Sequence, residues 1–157
     1  MEQNQKYLAK GNTFKRLITL PFLFLAWFSP HKGLRVFFHK LRGVKVGKNV
    51  EIGYFCIIGN VHPNMIYIDD NAVITARTTI LEHDNSLYYT GSGKVKYGKV
   101  HVKRNAFIGI GSVIMPGVSI GEGSIIGALS FVNTDVEAFT INAGVPVKKI
   151  KSIRKNV

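Results

Sequence analysis

The sequence predicts an all-β fold, a parallel β-helix, over residues 46–142. A branched aliphatic residue recurs every six positions, and this period holds at twelve positions with two interruptions. A short, fixed period indicates stacked repeats, each of which buries its apolar side only against its neighbours. The periodic residues are Val46, Ile52, Ile58, Ile68, Ile74, Ile80, Val102, Ile108, Ile114, Ile120, Ile126 and Val132.

Small residues at the fifth position of the repeat support the same fold. The fifth residue is small or slender in ten of the twelve repeats, which suits a tight inward corner after a short strand. Six repeats have Gly at the second position, which we interpret as the flexible backbone that a corner needs. Glycines at this density would cost a helix about 1 kcal/mol each, which disfavours helices here. The small residues are Val50, Cys56, Ala72, Thr78, Ala106, Ser112, Val118, Ser124, Ser130 and Val136.

Length and composition indicate one folded domain. The chain has 157 residues, of which 46% are hydrophobic and 19% charged, a balance that argues against bulk disorder. The single cysteine, Cys56, excludes an internal disulfide and a multi-cysteine zinc site, and it favours a reducing compartment. We therefore expect a cytoplasmic location.

Positive charge is concentrated at the two ends of the chain. Residues 1–45 hold nine basic residues and one acidic residue, and residues 146–157 hold five basic residues and no acidic one. The repeats between them are nearly neutral. This distribution favours a phosphate-bearing ligand or an anionic surface, whereas nucleic-acid binding lacks any motif. The alternative is that these cations only solubilise the two ends.

Residues 1–45 are predicted to form a helical cap over one end of the coil. Leu17–Phe28 is apolar, but its twelve residues fall short of the roughly 20 that span a bilayer, and no signal-peptide cleavage site follows. Leu34–Leu41 has apolar residues at helical spacing, with cations around them. Contact between residues 14–42 and a membrane surface, at the inner face, is the alternative to capping.

The repeats resemble a known family. Ile108-Gly109, Pro116-Gly117, Ile120-Gly121 and the later Ala143-Gly144-Val145-Pro146 are typical of the hexapeptide-repeat acyltransferases, and the likeness covers about residues 46–151. The chain is most similar to the O-acetyltransferases of galactosides, maltose and surface polysaccharides. The resemblance implies a left-handed coil with three repeats per turn, a homotrimer with sites between subunits, and acetyl-CoA as the donor.

Given three repeats per turn, the chain would make about four coils, and both interruptions would fall at one corner. Ile58 to Ile68 is four residues longer than the period, and Ile80 to Val102 is sixteen residues longer. Stacked coils place these insertions about 4.8 Å apart. We therefore expect His62 and the loop 82–101 to protrude together from one edge of a rigid scaffold, as a functional site would.

His83 is the candidate catalytic residue. In the family, a histidine at the start of the protruding loop acts as the general base, and a neutral imidazole suits the removal of a proton from a sugar hydroxyl. Glu82 and Asp84 flank His83 and are the candidate acids that orient the imidazole. Since adjacent side chains rarely face each other, Asp69 and Asp70 remain open as alternatives.

The resemblance also implies which residues hold the coenzyme. The family lays the pantetheine arm along the last coils, with basic residues near the C-terminus meeting the phosphates. Two positions depart from the pattern, because Leu129 stands where Gly is usual and Asn133 where Thr is common. Ordinary corner packing is the alternative for the alanines, and residues 143–157 are predicted to form a basic tail. The residues carried over are Gly109, Ile110, Ala128, Asn133, Ala143, Gly144, Lys148 and Lys151.

The predicted activity is transfer of an acetyl group from acetyl-CoA to a hydroxyl of a sugar or surface-polysaccharide precursor, with no metal required. The aromatic stretch 54–60 and the loop tip 88–94 are the candidate glycan contacts. The alternatives are a serine or other small-molecule acetyltransferase, a γ-type carbonic anhydrase using His62, His83 and His101, and a non-catalytic β-helix scaffold.

Overall fold

A computed structural model describes residues 13–153 of the protein. Two helices, α1 (Thr13–Phe28) and α2 (Lys32–Arg42), pack against each other and precede sixteen short strands. The strands are β1 (Lys45–Val46), β2 (Glu51–Ile52), β3 (Ile57–Ile58), β4 (Ile66–Ile68), β5 (Val73–Ile74), β6 (Thr79–Ile80), β7 (His83–Asp84), β8 (Lys96–Tyr97), β9 (Val100–Val102), β10 (Phe107–Ile108), β11 (Val113–Ile114), β12 (Ser119–Ile120), β13 (Ile125–Ile126), β14 (Phe131–Val132), β15 (Thr140–Ala143) and β16 (Lys148–Ser152).

Three sheets form the coil. Sheet 1 has the order β1-β4-β9-β12, sheet 2 the order β16-β15-β13-β10-β5-β2, and sheet 3 the order β14-β11-β6-β3. Consecutive strands of the coil enter sheets 1, 2 and 3 in turn, and within these sheets all pairings except β15 with β16 are parallel. The predicted parallel β-helix is therefore confirmed.

The periodic aliphatic residues fill the interior. Eleven of the twelve are no more than 1% exposed, and Val46, at the first strand, is partly buried. The small residues at the fifth position are also buried, none being more than 8% exposed. The coil therefore owes its core to two positions of each six-residue repeat, as the sequence predicted.

Five of the six glycines at the second position serve close approach between coils rather than backbone flexibility, and Gly59, with a φ of 51°, is the exception. A Cβ on Gly53 or Gly109 would lie 2.4 or 2.5 Å from a backbone nitrogen of the next coil, and neither residue has a positive φ. The positive φ instead occurs at the fourth position, as at Asn49, Asn71 and Asn105, and Asn tolerates this conformation better than most residues. The interpretation of these glycines as flexible corners therefore holds at Gly59 and is wrong for the other five.

Both insertions lie at one edge of the coil. The first contains a short 3₁₀ helix, Pro63–Met65, and the second contains the hairpin β7–β8 with the helix α3 (Ser86–Tyr89). Ile58 and Ile80, which precede the two insertions, are register partners in sheet 3. This register places the starts of both insertions at one corner, as expected, while the end of the predicted loop 82–101 lies in β9 of sheet 1.

Helix α2 lies against the first coil with its charged side. Arg35 donates to the carbonyl of Ile52, and Arg42 donates to the carbonyls of Ile58 and Gly59, so both occupy the open edges of sheets 2 and 3. The apolar row read from the sequence faces away from the coil. The buried residues of α2 are Arg35, His39 and Arg42, and the half-exposed ones include Leu34, Phe37 and Leu41.

The C-terminal segment extends sheet 2. Strand β16 pairs antiparallel with β15, so that Lys148 lies opposite Ala143 and Lys151 opposite Ile141. The predicted tail, 143–157, thus contains the strand β16, while residues 1–12 of the predicted cap and residues 154–157 of the tail lie outside the described residues. Within residues 13–153, no helix has the length and hydrophobicity that crossing a membrane requires.

Candidate active site

The carboxylate of Glu82 is held by the first insertion. Glu82 follows β6, and its side chain is fully buried. Its Oε1 accepts the backbone N–H groups of Val61 at 2.7 Å and His62 at 2.8 Å, and its Oε2 accepts that of Asn60 at 3.2 Å. Three consecutive N–H groups thus converge on one carboxylate, an arrangement that the insertion after Ile58 makes possible.

These hydrogen bonds keep Glu82 ionised. Burial by itself would raise the pKa of Glu82, but the N–H groups of His62 and Val61 outweigh it, and the pKa lies below its ordinary value. Glu82 is therefore a carboxylate at neutral pH, and a carboxylate can only accept hydrogen bonds.

His83 is the partner of this carboxylate. The Nδ1 of His83 lies 3.1 Å from Oε1 of Glu82, and the imidazole is 17% exposed. Since Glu82 only accepts, Nδ1 of the neutral ring must carry the proton, which leaves Nε2 with a free lone pair. The pair therefore has the arrangement of a general base with its orienting acid.

Tyr97 and His62 line the same edge. Tyr97 pairs with His83 across the hairpin, and the two rings stack at a centroid distance of 6.1 Å. The edge of the His62 ring lies against Tyr97 at 5.5 Å. Burial, and then the charge of Glu82, raise the pKa of Tyr97, so its hydroxyl stays neutral. The imidazole of His83 is thus confined on one side by an aromatic ring.

The other candidate acids have different partners. Oδ1 of Asp84 accepts the backbone N–H of Ser86 at 2.9 Å, where α3 begins. Asp70 accepts the backbone N–H of Lys48 at 2.7 Å, and Asp69 pairs with Nε2 of His101 at 2.9 Å.

The three histidines proposed for a metal do not form a ligand set. His101 lies on sheet 1 and pairs with Asp69, whereas His83 follows sheet 3. Among residues 13–153, no group of three or more His, Cys, Asp or Glu side chains is arranged to hold a metal ion. The geometry therefore gives no support to the carbonic anhydrase alternative.

Five of the eight predicted coenzyme-binding residues line one corner of the coil. They lie at or just after the ends of the strands β10, β13 and β15, which are neighbours in sheet 2. The result is a strip of small side chains and backbone along the coil axis, with the apolar side chain of Leu129, 72% exposed, beside it. The five residues are Gly109, Ile110, Ala128, Ala143 and Gly144.

The other three lie elsewhere. Asn133 follows β14 of sheet 3, at the same corner as His83 but two coils further along the axis. Lys148 and Lys151 are exposed on β16. Within one chain, the width of sheet 3 separates His83 from the strip at Gly109, so a single subunit does not bring these residues together.

Sequence reasoning missed Arg42, Tyr97 and the three N–H groups of residues 60–62. Arg35 stands seven residues before Arg42 and shares its helix face, but this spacing carried no signal that the face is buried. The N–H groups and Tyr97 carried none, since their roles depend on how the two insertions meet.

Comparison with known proteins identifies the family. Residues 99–134 match the bacterial transferase hexapeptide family (six repeats). AntD, an N-acyltransferase from Bacillus cereus solved in complex with dTDP and 3-hydroxybutyryl-CoA, is 31% identical; the match covers 71% of this chain and 73% of AntD, with a TM-score of 0.59. The chain belongs to the bacterial transferase hexapeptide family. The solved structures of similar hexapeptide-repeat proteins imply that the coil is left-handed. The three parallel sheets agree with this.

Two further proteins resemble this chain over most of its length. The dTDP-4-amino-4,6-dideoxy-D-glucose acyltransferase of Escherichia coli is 29% identical over 150 residues, which cover 76% of this chain and 77% of that enzyme. A galactoside acetyltransferase in complex with coenzyme A is 24% identical, covers 92% of this chain and 84% of its own, and has a TM-score of 0.68, a likeness of fold. The chain spans about half the length of curated relatives from Staphylococcus aureus to which it is 33% to 34% identical.

Proposed function

We propose that the protein transfers an acetyl group from acetyl-CoA to a hydroxyl of a sugar or surface-polysaccharide precursor. The observation that carries this proposal is the buried, ionised Glu82 in contact with Nδ1 of His83. Nε2 of His83 takes the hydroxyl proton as the sugar oxygen attacks the thioester carbonyl. The imidazolium that forms is stabilised by Glu82, and it returns the proton to the departing thiolate of coenzyme A.

Acyl-coenzyme A is the co-substrate. Both AntD and the galactoside acetyltransferase were solved with a coenzyme A species. The strip at Gly109 offers backbone and mostly small side chains, on which an extended pantetheine arm can lie. Lys148 and Lys151 add point charges that attract the phosphates of the coenzyme.

The complete site lies between subunits of a homotrimer of four-coil prisms. Support comes from the separation of His83 from the Gly109 strip by sheet 3 within one chain. A neighbouring prism that presents its strip to His83 supplies the missing half. Each of three equivalent sites then takes its base from one subunit and most of its coenzyme contacts from the next.

An amine acceptor is the second candidate, because two relatives act on nitrogen or carry an amino-sugar name. AntD is an N-acyltransferase, and the Escherichia coli relative acylates a dTDP-amino sugar. The same residues would serve, since His83 would remove the proton from the attacking nitrogen after the carbon–nitrogen bond forms. A hydroxyl needs the base more, because a neutral hydroxyl is a far weaker nucleophile than a neutral amine.

Thiol release from acetyl-CoA tests both candidates. Purified protein is incubated with oligosaccharides, nucleotide-linked amino sugars and serine, and the products are treated with mild alkali, which cleaves an ester but leaves an amide. We expect transfer to a glycan hydroxyl. Transfer to the amine alone would favour the second candidate, transfer to serine alone the small-molecule alternative, and no transfer at all a non-catalytic scaffold.

Contact with a membrane surface through residues 14–42 stays a prediction. Phe24, Phe28 and Phe37 are at least half exposed on the two helices, which is compatible with it. Co-sedimentation with anionic and with neutral vesicles measures this contact. Equal amounts of protein in the pellet with and without vesicles would exclude it.

A further inference from the structure

Arg42 is the last residue of α2 and lies buried beside the candidate active site. It is 4% exposed, and its guanidinium donates to the carbonyl of Ile58 at 3.1 Å and to that of Gly59 at 2.9 Å. Gly43 follows with a φ of 108°, which ends the helix and fixes where the arginine enters the coil.

The two carbonyls belong to the segment that holds Glu82. Gly59 has a φ of 51°, and a Cβ at this position would lie 2.7 Å from Cα of Pro63, so the backbone there has little freedom. The next three residues, 60–62, donate their N–H groups to Glu82. Arg42 therefore fixes the entry to the segment through its carbonyls, and Glu82 closes it through its N–H groups.

The remaining contact of Arg42 is with a neutral imidazole. Its Nη1 lies 3.1 Å from Nδ1 of His39, which is 1% exposed. Burial, and then the charge of Arg42, lower the pKa of His39 to about 3, so the ring accepts this hydrogen bond in its uncharged form. Burial lowers the pKa of Arg42 to about 10 while the negative charge of Glu82 raises it, so the guanidinium is charged at neutral pH. The charged group facing it across the segment is thus the carboxylate that contacts His83.

We propose that Arg42 is a positioning residue for His83, acting through the segment 59–62 and the carboxylate of Glu82. The proposal rests on the function proposed for His83. It assigns the N-terminal helices a part in the chemistry as well as in covering the coil.

Arg35 provides a matched control on the same helix. It is 8% exposed and donates to the carbonyl of Ile52 at 2.6 Å and to that of Ser29 at 2.9 Å. Like Arg42, it joins α2 to an edge strand of the first coil. It has no hydrogen bond to residues 58–62, so it separates attachment of the helix from positioning of Glu82.

The test compares Arg42→Gln with Arg35→Gln, each alone and combined with Glu82→Gln. Both single variants are expected to lower Tm. Arg42→Gln, unlike Arg35→Gln, is expected to lower kcat by about ten-fold or more. KM for acetyl-CoA should change less than about two-fold, because a misplaced base slows chemistry more than binding. In the Glu82→Gln background, Arg42→Gln should cost little more. Equal losses of kcat for the two arginine variants, or additive losses with Glu82→Gln, would overturn the proposal.

A readout without turnover separates this inference from the proposed function. Nitrogen-15 NMR of the His83 ring reports which nitrogen carries the proton. We expect the Nδ1–H tautomer in the wild type and in Arg35→Gln, and a mixture of tautomers in Arg42→Gln. An unchanged tautomer in Arg42→Gln overturns the positioning role, whereas a wild type that transfers no acyl group overturns the proposed function instead.

If Arg42→Gln does not fold, Arg42→Lys takes its place. Lysine keeps the charge but cannot reach both carbonyls with a fork of donors. It is expected to lose part of the kcat and to give a partly mixed tautomer. Wild-type values for both would overturn the proposal.

Discussion

The two halves of the coil differ in what they bury. From Val102 to Val132 the six-residue period runs without interruption, and the buried side chains there are aliphatic or small. From Val46 to His101 the same scaffold carries two insertions and buries the carboxylate of Glu82 against three N–H groups. The buried carboxylate therefore lies in the half of the coil where an insertion supplies backbone donors, and it contacts an imidazole at the surface.

The largest expected effect is the loss of activity on removing the imidazole from the interrupted half. His83→Ala should lower kcat/KM by about 10²–10⁴-fold, because the hydroxyl proton then has no acceptor. Acetyl transfer is the measurement, and Tm should stay within about 2 °C of the wild type. His101→Ala is the matched control, since it also removes a histidine that pairs with a carboxylate. Equal losses for the two variants would contradict the assignment of His83 as base.

Glu82→Gln should lower both activity and stability. The amide keeps the shape of the side chain but loses the charge that three N–H groups and His83 contact, and we expect a loss of about 1–3 kcal/mol and a fall in kcat of about ten-fold or more. Urea unfolding and acetyl transfer measure the two effects.

The stability difference should also depend on pH. The pKa of folded Glu82 lies below its value of 4.5 in the unfolded chain, so its contribution is complete above that value and is lost as pH falls through the lower, folded value. The gap between the wild type and Glu82→Gln should therefore narrow in acid. A gap that widens in acid would contradict an ionised Glu82.

In the uninterrupted half of the coil, substitutions at the second and at the fourth position of the repeat should differ in their effect on the free energy of unfolding. A Cβ on Gly121 would lie 2.4 Å from the backbone nitrogen of Ala138, so Gly121→Ala should cost about 1–3 kcal/mol of unfolding free energy. Asn105 has a φ of 57°, and Asn105→Gly should be nearly neutral, because glycine adopts that conformation freely. Thermal unfolding checks both, and the reverse order of stability would show that the glycines serve flexibility after all.

The last prediction concerns a pH slope, that of the buried imidazole in the helical cap. The unfolded chain protonates His39 near its ordinary pKa of 6.5, but the folded protein does so only near 3, so this residue makes stability fall as pH drops through that window. His39→Gln removes the titrating group and keeps an acceptor for Arg42. It should flatten the dependence by about 1 kcal/mol per pH unit between those values. An unchanged slope in urea unfolding would mean that His39 is not buried as described.

The sequence predicted the coil well and the candidate site in part. The six-residue period and the small residues predict the core because every repeat buries the same two positions. His83 could be proposed from its place at an insertion, but the choice between Glu82 and Asp84 could not be made. Which of these carboxylates turns to the imidazole depends on N–H groups twenty or more residues earlier in the chain.

The buried face of α2 was out of reach for the same reason. Apolar spacing ordinarily marks the buried side of a helix. Here the edge of the coil exposes carbonyl groups, so Arg35 and Arg42 lie against it and Leu34 does not. Only the partner surface decides between the two faces, and a helix read alone carries no information about that surface.

A crystal structure with bound acetyl-CoA is the most direct test of the claim that Glu82 and His83 perform the transfer. The distance from Nε2 of His83 to the thioester carbonyl carbon should be within about 5 Å, since the attacking oxygen must lie about 3 Å from each. The pantetheine should follow the Gly109 strip of a neighbouring subunit. A thioester bound far from His83, or lying wholly within one subunit, would contradict the claim.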